Sequence, residues 1–281
     1  MFRKALVCAG GKRISVILLC LIVFSSFTII PLSADILIPM DNTQTNHLKA
    51  YGIAFAGLKE HLVGRWLLNY RGGSFLFPDS ESLTALCNIR GVRYENVSSS
   101  DVAAILMEIQ ANNMESIALE KEPKIAVYIP PNALPWDDAV TMALDYAEID
   151  YDRVWDDEVL AGKLPEYDWL HLHHEDFTGQ YGKFYGSYRN TSWYQNDVRV
   201  NEAMAAKHNF AKVWQLKHAV AEKIRNYVIN GGFMFAMCAA TDTYDIALAA
   251  KDIDIVDAAI DGDGIDPQYQ SKLDFSRTFA F

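Results

Sequence analysis

Short runs of hydrophobic residues alternate with amphipathic stretches beyond the first 34 residues of the chain. Residues 36–40 are mostly apolar, 47–61 have apolar positions at helical spacing, and 66–70 are largely apolar again. This order predicts a β-α-β unit. A helix-rich stretch is predicted at about 81–112, where Ser100 can cap the second part.

A polar link at 120–123 marks the expected domain boundary, and the alternation is clearer after it. Strands separated by helices predict a mostly parallel α/β sheet with helices on both faces, and such sheets bind ligands at the carboxyl ends of their strands. The continuous apolar run at 233–237 is typical of a buried strand. The predicted strands lie at 125–129, 153–155, 168–174 and 233–237, and the predicted helices at 137–149, 203–230 and 241–249.

The N-terminus has the composition of a targeting segment. Four basic residues and no acidic residue lie within 1–13, an apolar run follows at 14–30, and Ala34 is a small residue at the expected cleavage point. This pattern indicates a secretory signal, so we expect a periplasmic or secreted protein. An uncleaved membrane anchor is the alternative, because a run of 17 residues is at the short end for a span.

The expected organisation is therefore a signal peptide at 1–34, an N-terminal lobe or sheet extension at 35–122, and an α/β domain at 123–281. The chain stops inside an apolar, strand-like run at 277–281, so a further C-terminal part is also expected.

Composition narrows the function classes. A hydrophobic content of 51% with 12% aromatic residues excludes a disordered chain. The formal charge of −11 becomes −15 once residues 1–34 are removed, which argues against a nucleic-acid-binding protein, since such proteins usually have a basic surface. Of the four cysteines, only Cys87 and Cys238 remain after that removal, and their spacing leaves pairing open.

Cys238 is the strongest candidate for chemistry. It follows a predicted strand and precedes a predicted helix, so its thiol would lie near backbone N–H groups at a helix N-terminus. Such groups stabilise a thiolate and can form an oxyanion hole. The alternative is a small buried thiol at a tight turn.

A second group of candidates is the run from His171 to Asp176. Alternation along a strand would place His171 and His173 on one face and His174 on the other. His171 and His173 could share a zinc ion with an oxygen ligand from Glu175 or Asp176. Alternatively His173 or His174 could act as a general base, with Glu175 as helper, or the imidazoles could be structural.

Further polar residues follow predicted strands. Asp41 and Asn46 lie between a strand and a helix, where capping is the simpler role. Arg71 could bind an anion or lie in a plain turn. A loop at 177–194 contains seven aromatic residues, which suit sugar or peptide stacking or packing onto the body. The candidate ligand-binding residues are Asp41, Asn46, Arg71, Asp176, Thr241 and Asp242.

The segment from Lys124 to Ala250 resembles the class I glutamine amidotransferase-like proteins, in which a helix, Gly-Gly, a strand and a cysteine turn occur in the order seen up to Cys238. The resemblance implies a flavodoxin-like sheet with Cys238 as nucleophile. The chain departs from the pattern in having Met237 and Ala239 beside the cysteine where the family has glycines, and in having no histidine after it.

The chain also resembles an exported bacterial family often labelled asparagine synthetase B-like, through residues 38–52, 67–75 and 173–179 and the Cys238 turn. True synthetases have a Ser-Gly-Gly-x-Asp-Ser ATP loop and an N-terminal cysteine. This chain has neither, since Phe2 follows Met1 and Asp35 would begin the exported protein.

Three functions stay open at this level. The first is a cysteine-dependent amide hydrolase that uses Cys238 and no cofactor. The second is a non-catalytic cell-envelope protein that binds a small molecule, a peptide or a glycan, with no nucleic-acid partner and membrane contact only through an uncleaved signal segment. The third is a zinc hydrolase with His171 and His173 as ligands.

Overall fold

Two β-sheets organise the part of the chain that the computed structural model describes, residues 34–134, 138–182 and 184–280. Apart from Ala34, the predicted signal peptide lies outside these residues. No helix within these ranges has both the length and the apolar composition that a membrane crossing needs.

The first sheet belongs to the N-terminal lobe, and its strand order is β4-β1-β3-β2-β5 with every pairing antiparallel. It lies between α1 and α2 on one face and α3 on the other. The strands are β1 (Asp35–Ile38), β2 (Gly64–Leu68), β3 (Ser74–Phe77), β4 (Glu95–Val97) and β5 (Glu115–Leu119), and the helices are α1 (His47–Lys59), α2 (Glu81–Arg90) and α3 (Ser99–Ala111).

The predicted β-α-β pairing of this lobe is wrong, because β3 lies between β1 and β2. A 3₁₀ turn at Tyr70–Gly72 reverses the chain directly after β2. Asn69 and Gly73 flank the turn with φ values of 63° and 93°, the left-handed region that permits so tight a reversal. The resulting hairpin is antiparallel, so the lobe forms a sheet of its own and does not extend the parallel one.

The second sheet is parallel, which confirms the predicted α/β architecture for this part of the chain, and its strand order is β7-β6-β8-β9. Its strands are β6 (Ile125–Tyr128), β7 (Asp152–Val154), β8 (Trp169–Leu172) and β9 (Phe233–Ala236). Its helices are α4 (Ala139–Ala147), α5 (Asp156–Leu160), α6 (Phe184–Tyr188), α7 (Ser192–Lys207), α8 (Val213–Ile229), α9 (Ala239–Ala249), α10 (Ala258–Asp261) and α11 (Tyr269–Lys272), with 3₁₀ turns at Leu164–Glu166 and Phe275–Arg277.

Side chains of β6 alternate between two hydrophobic clusters. Ala126 and Tyr128 pack with residues of α8 and α9, whereas Ile125 and Val127 pack with residues of α4. Burying an aliphatic or aromatic side chain of this kind contributes roughly 1.5–3 kcal/mol. Helices on opposite faces of β6 therefore hold the strand and fix the position of its carboxyl end.

Three predictions for this region need correction. The helix predicted at 203–230 is two helices, α7 and α8, because Asn209 adopts a left-handed φ of 62° after α7 ends. The strand predicted to be buried, β9, is an edge strand whose outer face is open: Phe233 and Phe235 are 58% and 48% exposed. The strand-like run predicted at 277–281 is not a strand where it is described: Arg277 ends the 3₁₀ turn at Phe275–Arg277, and residues 278–280 have no regular secondary structure.

Candidate functional site

Cys238 occupies the sharp turn between β9 and α9, at the N-cap of the helix. Its backbone has φ 56° and ψ −139°, a combination that costs free energy for any residue other than glycine. Its thiol is exposed. A strained strand-to-helix turn that exposes a nucleophile is the geometry of a nucleophile elbow.

Backbone hydrogen bonds attach this turn to the segment that follows β8. The N–H of Met237 donates to Leu172 at 3.1 Å, and the N–H of Ala240 donates to the carbonyl of His173 at 3.1 Å. The hydroxyl of Thr243 donates to the carbonyl of Glu175 at 2.8 Å. The predicted residues Cys238, His173 and Glu175 thus belong to two segments that hydrogen bonds hold together. Both segments lie at the edge of the sheet formed by the carboxyl ends of β8 and β9.

Asp138, His173 and His174 form a cluster at this edge. Nδ1 of His173 lies 3.1 Å from Oδ1 of Asp138 and 3.2 Å from Nδ1 of His174. The prediction that His174 lies on the opposite face from His173 is wrong, because β8 ends at Leu172 and strand alternation no longer applies beyond it.

The cluster runs from the protein interior to the surface. Asp138 is 3% exposed, the side chain of His173 is 14% exposed, and His174 is exposed. Oδ1 of Asp138 also accepts the N–H of Val140 at 2.7 Å, which caps α4. Oδ2 of Asp138 is buried and has no hydrogen-bond partner among the described residues. One ligand atom from each of the three residues lies within 4.8 Å of the other two.

His171 is packed into the sheet. Its ring stacks on Phe235 with centroids 5.4 Å apart, and its centroid lies 6.5 Å from that of His173. Burial lowers the pKa of His171, and neither ring nitrogen has a hydrogen-bond partner within the described ranges. The structure therefore groups His173 with His174 and Asp138, and leaves His171 outside that cluster.

Glu175 supports the loop that carries the imidazoles. It is 7% exposed, and Oε2 accepts the backbone N–H of His173 at 3.0 Å. Burial raises the pKa of Glu175 to about 7. Its buried carboxyl group therefore holds the backbone of the segment that carries the imidazoles.

The next predicted residues lie around the same edge with local roles. Asp176 closes its loop by accepting the N–H groups of Thr178 at 2.7 Å and Gly182 at 2.5 Å. The hydroxyl of Thr241 donates to the carbonyl of Cys238 at 2.7 Å, and Asp242 lies in the first turn of α9, where a negative charge is favourable.

Asp41, Asn46 and Arg71 belong to the other lobe. The guanidinium of Arg71 contacts Oδ2 of Asp41 at 2.7 Å and Oε2 of Glu95 at 2.8 Å, so both carboxylates already engage it. Hydrogen bonds from Thr43 and Arg71 hold the pKa of Asp41 well below its usual range. Asn46 caps α1 by accepting the N–H of Lys49, which confirms its capping role.

Sequence reasoning missed Asp138 and a buried polar network beneath the edge. Nζ of Lys217 lies 2.8 Å from Oδ2 of Asp156, and these side chains are 3% and 0% exposed. The hydroxyl of Tyr128 donates to Asp156, and Nζ of Lys217 lies 3.8 Å from the centroid of Trp155. A lysine on the apolar face of α8 was the only sequence signal for this network, since its partners are distant in the chain.

The stretch predicted as an aromatic loop at 177–194 includes α6 and the start of α7, and its rings are partly buried and partly exposed. Phe177 and Tyr194 are buried. Phe184, Tyr188 and Trp193 are 40%, 44% and 47% exposed and contact one another with centroids 5.3–5.9 Å apart. These three, the aromatic trio, form a surface cluster.

Cys87 is buried and Cys238 exposed, and the two thiols are not paired with each other.

Comparisons of the chain with protein-family models, with curated proteins and with solved structures find no match.

Proposed function

We propose that the protein is a thiol-dependent amide hydrolase of the class I amidotransferase-like kind, with Cys238 as nucleophile. The observation that carries this proposal is the backbone of Cys238, which is held at φ 56° and ψ −139° between a parallel strand and a helix with its thiol exposed. A structural cysteine has no need of that costly conformation, whereas a nucleophile at an elbow requires it.

The sheet supports a flavodoxin-like assignment. Numbered from β6, the strands of the parallel sheet run 2-1-3-4, which is the first part of the flavodoxin-like order. The order reverses between β6 and β8, and a ligand crevice is expected outside the carboxyl ends of those two strands. His173 and His174 follow β8 directly, so the imidazoles lie where that fold would bind a substrate.

The proposed reaction has two steps. Sγ of Cys238 attacks the amide carbonyl carbon, the thiol proton passes through His174 to the departing nitrogen, and the C–N bond breaks to leave a thioester. Water then attacks the thioester and its proton returns through the imidazole to sulfur, which releases a carboxylate. The N–H of Ala239, the residue after the nucleophile, is the expected oxyanion donor.

Asp138 and His173 lie in contact behind the proposed base. The buried carboxylate of Asp138 contacts Nδ1 of His173, which contacts Nδ1 of His174 in turn. These three side chains take the place of a histidine after Cys238, because the proposed base comes from the end of the neighbouring strand, β8. Glu175 fixes the backbone of that segment from below.

Release of ammonia from L-glutamine and from short peptide amides tests the proposal. Chelator-treated protein should release ammonia, and Cys238→Ser should abolish the release. Cys87→Ala is the matched control, since Cys87 is buried and burial raises its pKa to about 11. That variant should retain the wild-type rate.

Mass spectrometry of the intact protein mixed with p-nitrophenyl acetate provides a second readout. An acetyl group on Cys238 supports the thioester step. Absence of both acetylation and amide hydrolysis in the folded wild-type protein would contradict a nucleophilic role for Cys238.

A second candidate function rests on the aromatic trio of Phe184, Tyr188 and Trp193. Sugars stack on exposed aromatic faces, and the three rings, which lie at 51–86° to one another, present such faces in different directions. In this alternative an exported protein binds a cell-envelope glycan without chemistry. Calorimetry with N-acetylglucosamine oligomers should show binding that Trp193→Ala removes, while Tyr51→Ala, at an exposed ring outside the trio, leaves it unchanged.

A further inference from the structure

We propose that Asp138, His173 and His174 bind a divalent transition-metal ion of the zinc class. The three side chains converge at the carboxyl end of β8, and one ligand atom of each lies within 4.8 Å of the others. This inference goes beyond the proposed hydrolase, because metal binding by these residues does not require Cys238 to react.

The spacing of the ligand atoms fits a shared ion. Bonds of about 2.0–2.1 Å in a tetrahedral zinc site place neighbouring ligand atoms roughly 3.3 Å apart. Nδ1 of His173 lies 3.1 Å from Oδ1 of Asp138 and 3.2 Å from Nδ1 of His174. The ligand atoms of Asp138 and His174 lie within 4.8 Å of each other, and a separation of roughly 3.3 Å between them would complete one face of a tetrahedron.

Hydrogen bonding alone serves this arrangement poorly. A single proton on Nδ1 of His173 can lie in line with either Asp138 or His174, and not with both. Oδ2 of Asp138 is buried and has no partner among the residues that the structure describes. A cation would interact favourably with the carboxylate and with both imidazole nitrogens at once.

The backbone holds two of the ligands in place before an ion arrives. Asp138 is the N-cap of α4, where Val140 donates to its Oδ1. The N–H of His173 donates to Glu175 and its carbonyl accepts the N–H of Ala240. His174 lies on the exposed side, so a fourth position would face solvent, as in sites that keep a place for water or substrate.

The donor set selects the class of ion. Two imidazole nitrogens and one carboxylate suit zinc and neighbouring divalent transition ions, whereas calcium and magnesium need oxygen ligands. A second group, Asp254, Asp261 and Asp263, offers only oxygens. Nζ of Lys212 already lies 3.5 Å from Oδ2 of Asp261 and also contacts Asp263. Zinc should therefore prefer the histidine site.

Titration of the untagged full chain with Zn²⁺ after chelator treatment tests the site, with calorimetry for affinity and elemental analysis for stoichiometry. One tight equivalent is expected. Asp138→Asn and His174→Gln should each weaken binding at least tenfold, since each removes a ligand. Asn remains a good N-cap, so Asp138→Asn should keep α4 intact.

His208→Gln is the matched control, because Nε2 of His208 contacts Asp157 at 2.6 Å at a different location. That variant and Cys238→Ser should bind zinc as the wild type does. Co²⁺ as a spectroscopic substitute should give tetrahedral absorption that Asp138→Asn abolishes while circular dichroism shows a folded chain. Wild-type affinity in both ligand variants, or no tight equivalent in the wild type, would overturn the proposal.

Discussion

Two imidazoles are buried in the parallel-sheet part of the molecule without a hydrogen-bond partner among the described residues, those of His171 and His218. Burial lowers the pKa of His171 and brings the pKa of His218 to about 4. A protonated imidazole without a partner is costly in such a place. Both side chains are therefore neutral in the folded protein near neutral pH.

His218→Phe should reduce the loss in the free energy of unfolding that the protein shows as the pH falls below neutral. The unfolded imidazole takes up a proton near pH 6.5 and the folded one only near 4, so His218 causes the folded state to lose stability as pH falls through that window. The loss between pH 7.5 and pH 5 is about 2 kcal/mol. Urea unfolding at both pH values measures it, and an unchanged pH dependence in the variant would contradict this reasoning.

The strand–turn–helix element that carries Cys238 holds backbone strain at the cysteine itself, which the proposed nucleophilic role would account for. Its φ of 56° lies in the region that glycine adopts without the Cβ penalty. The neighbours of the turn are fixed by hydrogen bonds from Met237 and Ala240 to the strand-end segment of β8. The surrounding structure thus imposes the conformation on Cys238.

Cys238→Gly should stabilise the protein by about 1 kcal/mol while abolishing thiol chemistry, because glycine relieves the backbone strain. Cys238→Ala keeps a Cβ and should gain nothing from relief of strain. Urea midpoints of the two variants give the comparison. A glycine variant less stable than the alanine variant would show that the turn is not strained.

The parallel sheet was predictable because β6, β8 and β9 are apolar runs separated by helical patterns long enough to cross over. β3 was missed because its four residues, Ser74–Phe77, follow a glycine turn without a polar break. β4 and β5 were missed as well, so three of the five strands of the N-terminal sheet, and with them its pairing, were absent from the prediction.

The site was predictable only in part. Cys238 and the imidazoles could be placed at strand ends because strand ends follow from the hydrophobic pattern. The partner of His173 could not, since Asp138 precedes it by 35 positions and meets it only through the packing of α4 on the sheet. The position of His174 depended on where β8 ends, which the pattern at 168–174 did not define.

At the scale of the whole molecule, α4 joins the two lobes. Its N-terminus is capped by Asp138 at the candidate site, and its C-terminus meets α1, where a Cβ at Gly52 would overlap the carbonyl oxygen of Ala147. Glu148 follows α4, and its Oε1 lies 2.6 Å from Nζ of Lys49. Its carboxylate also forms an ion pair with Arg90. The position of the N-terminal lobe is thereby coupled to the helix that presents Asp138.

Gly52→Ala should force α1 away from α4 and lower stability by roughly 1–3 kcal/mol, the usual cost of overpacking. Gly186→Ala is the control, since a Cβ there meets nothing within 4 Å and lies in a helix. Thermal unfolding of both variants measures the difference. Equal stability of Gly52→Ala and the wild type would show that the lobes separate without cost.

The rate of Cys238 alkylation by iodoacetamide is the most direct test of the central claim that this turn presents an activated nucleophile. Peptide-resolved mass spectrometry of chelator-treated native protein at pH 7 separates Cys238 from the other thiols. Alkylation of Cys238 should be at least tenfold faster than that of glutathione and severalfold slower in His174→Gln, with Cys87 unmodified. A Cys238 thiol that reacts no faster than glutathione, at a rate that His174→Gln does not change, would contradict its role as an activated nucleophile.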